Sequence, residues 1–224
     1  MSLLDTLTSN LPEVASPTQK RLSFKEKLKW TGIILVLFFA LSLVPLFGLG
    51  ENALQRFEFL SVILGASFGS LLSLGIGPLV TASIVLQLLN GSGMVKFDLT
   101  THEGRKAFQG TQKLLSVFFI IFEAAIYVFM SGLAPAEALK GTAAFLPLQL
   151  ILVFQLFLGG MLVMFMDEVV SKWGFGSGIS LFIAAGVSQS LFIRIFSPLS
   201  SPANHQYQQE RFLLYFKALL PEIQ

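Results

Sequence analysis

Ser67 is the residue of this sequence that stands in a pattern used by nucleophilic enzymes. The run Gly65-Ala66-Ser67-Phe68-Gly69 is a literal G-x-S-x-G, the motif that presents the nucleophile of many serine hydrolases. A serine nucleophile needs a His or Lys within hydrogen-bond reach. The only two His, His102 and His205, are expected in polar loops. The pattern therefore leaves a serine hydrolase as a disfavoured alternative, and we predict no catalytic residue.

The other reactive residue types are too sparse for a metal or cofactor site. Cys is absent, which excludes thiolate ligands and disulfides, and neither His has a second His or a carboxylate at ligand spacing. Gly174, Gly176 and Gly178 lack the preceding strand and the following Lys-Ser/Thr of a phosphate-binding loop. They predict a tight turn instead, and the sequence predicts no cofactor and no metal.

The composition indicates that lipid solvates much of this chain. Of its 224 residues, 54% are hydrophobic and 12% are charged, whereas soluble domains carry roughly 25% charged residues. A net charge of +2 is too small to indicate nucleic-acid binding. Long uncharged stretches predict five helical membrane spans. They lie at about 30–50, 71–90, 113–133, 143–166 and 178–196.

The uncharged stretch 59–95 is too long for one crossing, and glycines interrupt it. We expect a short re-entrant helix before the second span, since irregular backbone at membrane depth must be surrounded by protein or line a cavity. Residues 1–22 predict a cytosolic amphipathic segment on the membrane surface. With the amino terminus in the cytosol, ten of the fifteen Lys and Arg lie on the cytosolic side, as the orientation rule requires. Asp167, Glu168 and Lys172 are expected there as solvated charges.

Four sequence blocks, taken in order, resemble one family. They are FKEKLKWTG (24–32), LGIGPLVTA (74–82), FQGTQKLLS (108–116) and DEVVSKWGFGSGI (167–179), the last continuing into LFIAAGVSQ (181–189). Together they resemble the amino-terminal half of SecY, the channel subunit of the protein translocase, most closely its archaeal form. The resemblance covers roughly residues 10–196. It implies an all-α polytopic transmembrane bundle in residues 23–196, spans one to five of ten, and makes 197–224 an external loop towards a missing sixth span.

The resemblance also implies a function. A SecY channel passes unfolded secretory proteins across the membrane and releases membrane-protein helices laterally into it. The implied partners are SecE-like and small beta subunits, the ribosome, signal sequences, unfolded polypeptides and the lipid bilayer, at the plasma membrane. The carboxyl end of this chain would be external, and no direct nucleic-acid binding is expected from this half. Since the ribosome-docking loops belong to the missing half, we expect a fragment or one product of a split gene.

Three groups of residues would carry that function. Ile76 and Val80 stand four residues apart, as do Ile179 and Ile183, so each pair shares one helical face. Ordinary packing explains such pairs in most helices. Within these sequence blocks, however, the resemblance implies an apolar pore ring that blocks ions by dewetting. Glu123, an ionisable residue in mid-span, should not face lipid, and the resemblance places it with Thr81 at the lateral gate. The resemblance also implies a plug at about 58–68, with a plain re-entrant loop as the alternative. Its residues are Glu58, Phe59, Leu60, Ser61, Val62, Ile63, Leu64, Gly65, Ala66, Ser67 and Phe68.

Two other functional classes remain as alternatives. An intramembrane serine hydrolase would use Ser67, and half of a secondary transporter would share the inverted-repeat architecture. The transporter reading lacks the several intramembrane polar sites that a substrate needs.

Overall fold

The computed structural model describes residues 12–17, 22–50, 69–130, 132–136 and 139–196, without the side chains of 190 and 193–196. This part of the chain contains five α-helices and no β-strand, which confirms the predicted all-α class. The chain divides into two compact units, Met1–Ile183 and Ala184–Gln224, and the residue contacts discussed below lie in the first. The helices are α1 (Phe24–Ser42), α2 (Gly77–Gly91), α3 (His102–Phe129), α4 (Phe145–Trp173) and α5 (Gly178–Phe196).

Helices α3 and α4 are long and apolar enough to cross a membrane by length and composition. The described part also contains two shorter apolar helices, α2 and the segment Gly178–Gln189 of α5. In α1, the first turns carry Lys25, Glu26, Lys27 and Lys29, so only residues 30–42 are uncharged.

The helices begin and end where local chemistry dictates. Ser23 and Glu26 form a reciprocal capping box at the start of α1, which satisfies two otherwise unpaired N–H groups. The helix ends at Ser42 and not near residue 50, because Pro45 disfavours helical backbone before it and has no N–H to continue the helix. Thr101 caps α3 by accepting from the Gly104 N–H, so His102 is the first residue of a helix and not a loop residue as predicted.

Helix α2 begins six residues later than the predicted span. Residues 71–76 form turns, and Gly75 has a positive φ of 56°, a conformation that side chains with a Cβ rarely adopt. Pro78 then opens the helix in its first turn, where its missing N–H costs no intrahelical bond. Ile76 is consequently the N-cap residue of α2 and lies outside its regular part.

Two apolar clusters form the core, and α4 contributes to both. Helix α3 packs against α2 and α4, and α1 packs against α4. The buried members of the first cluster are Ile34, Leu72, Leu79, Ile120, Val163, Met164, Met166, Val170 and Phe182. Those of the second are Leu46, Leu74, Ala124, Val128, Leu133, Leu152 and Leu156.

Two adjacent glycines let α4 approach its neighbours closely. A Cβ added at Gly160 would lie 2.6 Å from Cγ2 of Ile120 on α3. A Cβ added at Gly159 would lie far inside contact distance of the Leu71 carbonyl oxygen. The packing of α4 against α3 and against the turns before α2 therefore depends on the absence of side chains at these two positions.

The chain on either side of residues 51–68 is joined by backbone hydrogen bonds. The Leu46 N–H donates to the Gly69 carbonyl over 2.9 Å and the Leu71 N–H to the Val44 carbonyl over 2.8 Å. Gln155 of α4 accepts from the Phe47 N–H at 2.9 Å and donates to the Phe47 carbonyl at 3.1 Å. We call this paired region, residues 44–47 and 69–71, the seam.

Candidate functional site

The four residues predicted to form a pore ring lie at the starts of α2 and α5. The Val80 N–H donates to the Ile76 carbonyl over 3.1 Å, so the spacing of one helical turn holds although Ile76 is the N-cap. Ile76 and Ile179 are half-buried and pack against the same first core cluster. Val80 is half-buried, and the side chain of Ile183 is 47% exposed. One residue from each pair thus reaches a common cluster, while Ile183 keeps a large free surface.

The two residues predicted at the lateral gate each lie close to Gly77, in the first turn of α2. The Thr81 hydroxyl donates to the Gly77 carbonyl over 2.9 Å. Glu123 of α3 is half-buried, and a Cβ added at Gly77 would lie 3.4 Å from its Oε2 atom. A carboxylate is favoured beside a helix amino terminus, where the helix dipole is positive, and α2 has no side-chain cap of its own. Gly77 was not singled out from the sequence; its place beside Pro78 at the start of an apolar helix was the available signal.

The predicted plug, Glu58 to Phe68, lies outside the described residues, and so does Ser67 of the G-x-S-x-G motif. The structure does describe the seam that precedes and follows it. Gln155, whose amide completes the seam, was also missed from the sequence. A Gln within an apolar stretch was the signal, because such a side chain needs polar partners at membrane depth.

The charges at the carboxyl end of α4 are largely buried, unlike the solvated charges that we expected. Glu168 accepts from Nζ of Lys113 and from Nζ of Lys172, both over 2.9 Å. The side chains of these three residues are 15–20% exposed. Lys172 also pairs with Glu13 over 2.6 Å. The expectation failed because it assigned water as the partner of each charge, whereas the charges neutralise one another.

This network holds residues 12–15, which we call the amino-terminal strap. Nζ of Lys113 donates to the Pro12 carbonyl over 2.6 Å, and Nζ of Lys172 donates to the Val14 carbonyl over 2.5 Å. The indole N–H of Trp173 donates to the Ala15 carbonyl over 2.9 Å. The hydrogen bond and charge of Lys172 hold the pKa of Glu13 below its ordinary value. The strap is thus tied to α3 through Lys113, about three turns into that helix, and to the carboxyl end of α4 through Lys172 and Trp173.

Asp167 connects the end of α4 to the start of α5. Its Oδ1 atom accepts from the Ile179 N–H over 2.9 Å, which caps α5 from another helix. Gly178 packs so closely that an added Cβ would lie 2.6 Å from the Asp167 Cα. Asp167 therefore fixes the backbone of Ile179, one of the predicted ring residues.

Comparisons with known proteins identify what this arrangement is similar to. The SecY family model matches residues 70–221, which extends past residue 196, where we expected the resemblance to end. The chain is 52% identical over 198 residues to protein translocase subunit SecY of Methanothermobacter thermautotrophicus. That match covers 88% of this chain and 41% of the relative.

Two solved structures share the fold. Sec61 in the canine ribosome-channel complex from the endoplasmic reticulum is similar with a TM-score of 0.73 and 36% identity, covering 96% of this chain and 47% of that one. A SecY structure whose plug domain is described as stabilising the closed state of the translocation channel and maintaining a membrane seal gives a TM-score of 0.74 and 36% identity. This match covers 100% of the present chain and 47% of the SecY chain in that structure. The chain thus spans less than half the length of the relatives it matches.

Proposed function

Because this chain belongs to the SecY family, we propose that it forms the amino-terminal half of a membrane channel that passes unfolded polypeptides. In this proposal the chain supplies one wall of the pore, and a second set of helices, absent from these 224 residues, supplies the other. The proposal extends to signal-sequence-dependent translocation of secretory proteins and to lateral release of membrane helices into the bilayer.

The observation that carries the proposal is the position of Ile76 and Ile179. They start two different helices, yet both pack against one core cluster, as two parts of a single ring would. β-Branched side chains suit a seal because they are stiff at χ1 and offer water no hydrogen bond. Val80 and Ile183 complete the proposed half-ring, and the 47% exposure of Ile183 leaves it a surface with which to face a pore.

We assign the plug to Glu58–Phe68 on the strength of the related SecY structure described by its plug domain. The seam supports this assignment, because it returns the chain to the place where it left the bundle. A short segment held at both ends can occupy the pore without disturbing the helices.

Thr81 and Glu123 are proposed to act at the lateral gate. Their shared neighbour Gly77 lies at the start of α2, the helix that carries Val80. Polar groups between α3 and α2 are costly to expose to lipid. Moving the two helices apart would therefore require free energy, which would set a threshold for opening the gate.

The proposed partners are SecE-like and small beta subunits and the ribosome. The proposed interaction with the ribosome is supported by the similarity to Sec61 in a ribosome-channel complex. The distribution of Lys and Arg supports a cytosolic amino terminus and an external carboxyl end for this chain.

The test uses the chain together with the subunits that copurify with it from native membranes, reconstituted into vesicles. A secretory precursor should become protease-protected, and a precursor whose signal sequence carries charges in its apolar core should not. Solute uptake without signal dependence would favour the transporter alternative, and labelling of Ser67 by a fluorophosphonate probe would favour the hydrolase. Either result without precursor protection contradicts the proposal.

The pore wall is tested by photocrosslinking from Ile183, with Ile121 as the matched control. Both are isoleucines of similar exposure, 47% and 49%, and Ile121 lies about 200° around α3 from Glu123. A stalled translocating chain should crosslink from position 183 and not from 121. Equal crosslinking from both positions would contradict the assignment of Ile183 to the pore.

A further inference from the structure

The exposed face of α1 carries an open groove with two lysines at one end. The groove has a volume of roughly 570 Å³ and is lined by Lys25, Leu28, Lys29, Gly32, Ile33 and Val36. We propose that it binds a membrane lipid with an anionic phosphate headgroup. The headgroup would lie at the lysines, and one hydrocarbon chain would lie along the apolar part. This inference does not depend on the proposed channel activity.

Helical geometry places these residues on one side of α1. At about 100° per residue, Lys25, Lys29 and Val36 fall within an arc of roughly 40°. Ile34 lies on the opposite side and is buried in the core against other helices. The groove face is therefore the outward face of α1.

Gly32 creates the groove. A Cβ added there would meet nothing within 4 Å, so close packing does not require this glycine, unlike Gly159 and Gly160. Glycine is unfavourable inside a helix, and its effect at position 32 is to leave a depression between Leu28, Ile33 and Val36. A lipid chain fits such a depression because it is apolar and as narrow as the missing side chain.

The charges at the end of the groove are available for a ligand. Glu26, the neighbouring acid, turns back to the Ser23 N–H in the capping box. In the part of the chain that the structure describes, neither Lys25 nor Lys29 has an ion-pair partner. Two ammonium groups on adjacent turns complement the charge of a phosphodiester, and lysine stems can lie along the apolar surface while their ends reach the headgroup.

The depth of the groove also suits a lipid. Seven residues separate Lys29 from Val36, which is about 10 Å at 1.5 Å per residue. One leaflet of the hydrocarbon core is about 15 Å thick. A headgroup at the lysines therefore places its chain beside Gly32 and Val36 within a single leaflet.

The test is native mass spectrometry of the full chain in its native complex, extracted from vesicles of equimolar phosphatidylglycerol and phosphatidylcholine. The protein should retain phosphatidylglycerol in preference, and Lys25→Gln with Lys29→Gln should lower that preference by about fivefold per lysine. Lys96→Gln with Lys106→Gln is the matched control, because both residues are exposed and the charge change is equal. It should leave the preference within about twofold of wild type.

Gly32→Leu separates groove binding from general attraction to a basic surface. It fills the depression and keeps both lysines, so fewer lipids of either kind should be retained. Glycerol 3-phosphate, which carries a phosphate group without a hydrocarbon chain, should not displace the lipid. Equal losses in the two lysine pairs, no loss in Gly32→Leu, or a crosslink from position 32 to a partner polypeptide in place of lipid would each overturn the proposal.

Discussion

Gly160→Ala tests the close packing of α4 on α3. The added methyl carbon would lie 2.6 Å from Cγ2 of Ile120, whereas carbon atoms in contact are separated by about 3.5–4.0 Å. About 1 Å must therefore be gained by movement. Ile120 has no exposed surface and cannot rotate into free space, so the helices themselves must shift.

The expected loss follows from two opposing terms. Overpacking a core costs about 1–3 kcal/mol, and replacing a helical Gly by Ala returns about 0.5–1 kcal/mol. We expect Gly160→Ala to lower the free energy of unfolding by up to about 2 kcal/mol. Gly159→Ala should cost more, because its methyl group would meet the Leu71 backbone carbonyl, which no rotamer change can move.

The matched control is Gly32→Ala on α1. A Cβ there meets nothing within 4 Å, so only the helix-propensity gain of about 0.5–1 kcal/mol remains. Unfolding free energies of the three variants can be measured in bilayers by steric trapping. The predicted order of stability is Gly32→Ala, then wild type, then Gly160→Ala, then Gly159→Ala.

A double-mutant cycle identifies the clash itself. Ile120→Ala removes the atoms that the new methyl group meets, so its cost should be smaller in the Gly160→Ala background than in wild type. If Gly160→Ala stabilises the protein as much as Gly32→Ala does, or if the two substitutions are additive, the contact between α3 and α4 is looser than described and the reasoning is refuted.

Three further predictions concern the charged residues. Asp167→Ala should lower the unfolding free energy by about 0.5–2 kcal/mol because α5 loses its cap; Asp167→Asn, which keeps an acceptor oxygen, should lose less, and equal losses in thermal melts would exclude capping. The pKa of Glu13 is lowered by Lys172, so its contribution to strap binding is present above the ordinary value of 4.5 and is lost as the pH falls through the lowered pKa. Amide exchange at Val14 should therefore accelerate in acid relative to exchange in a free strap peptide, and Glu13→Gln should remove that acceleration. Glu123→Leu should change the signal-sequence threshold for translocation more than it changes the unfolding free energy, and an unchanged threshold would count against the gate.

The existence of the helices could be predicted from the sequence, because uncharged apolar stretches have few stable alternatives in a membrane. Their ends were less predictable. Hydropathy does not distinguish helix from extended chain, so it predicts that the first span continues after Ser42, although Pro45 ends the helix there. Helix α4, in contrast, continues past the apolar stretch to Trp173, because Glu168 and Lys172 have ion-pair partners there.

The polar contacts between distant residues could not be predicted from the sequence. Lys172 and Glu13 are 159 positions apart, and no local periodicity relates them. The same holds for Gln155 and the Phe47 backbone. The resemblance places Glu123 and Thr81 in one gate, but only the structure shows that both lie close to Gly77.

The seam has a consequence for how this protein can vary. Because residues 44–47 and 69–71 are hydrogen-bonded to each other, and Gln155 also holds Phe47, the two sides of the seam stay at a fixed separation. Doubling the length of a loop closed in this way costs only about 0.6 kcal/mol of chain entropy. The packing of the described helices therefore tolerates insertions or deletions between the two sides of the seam.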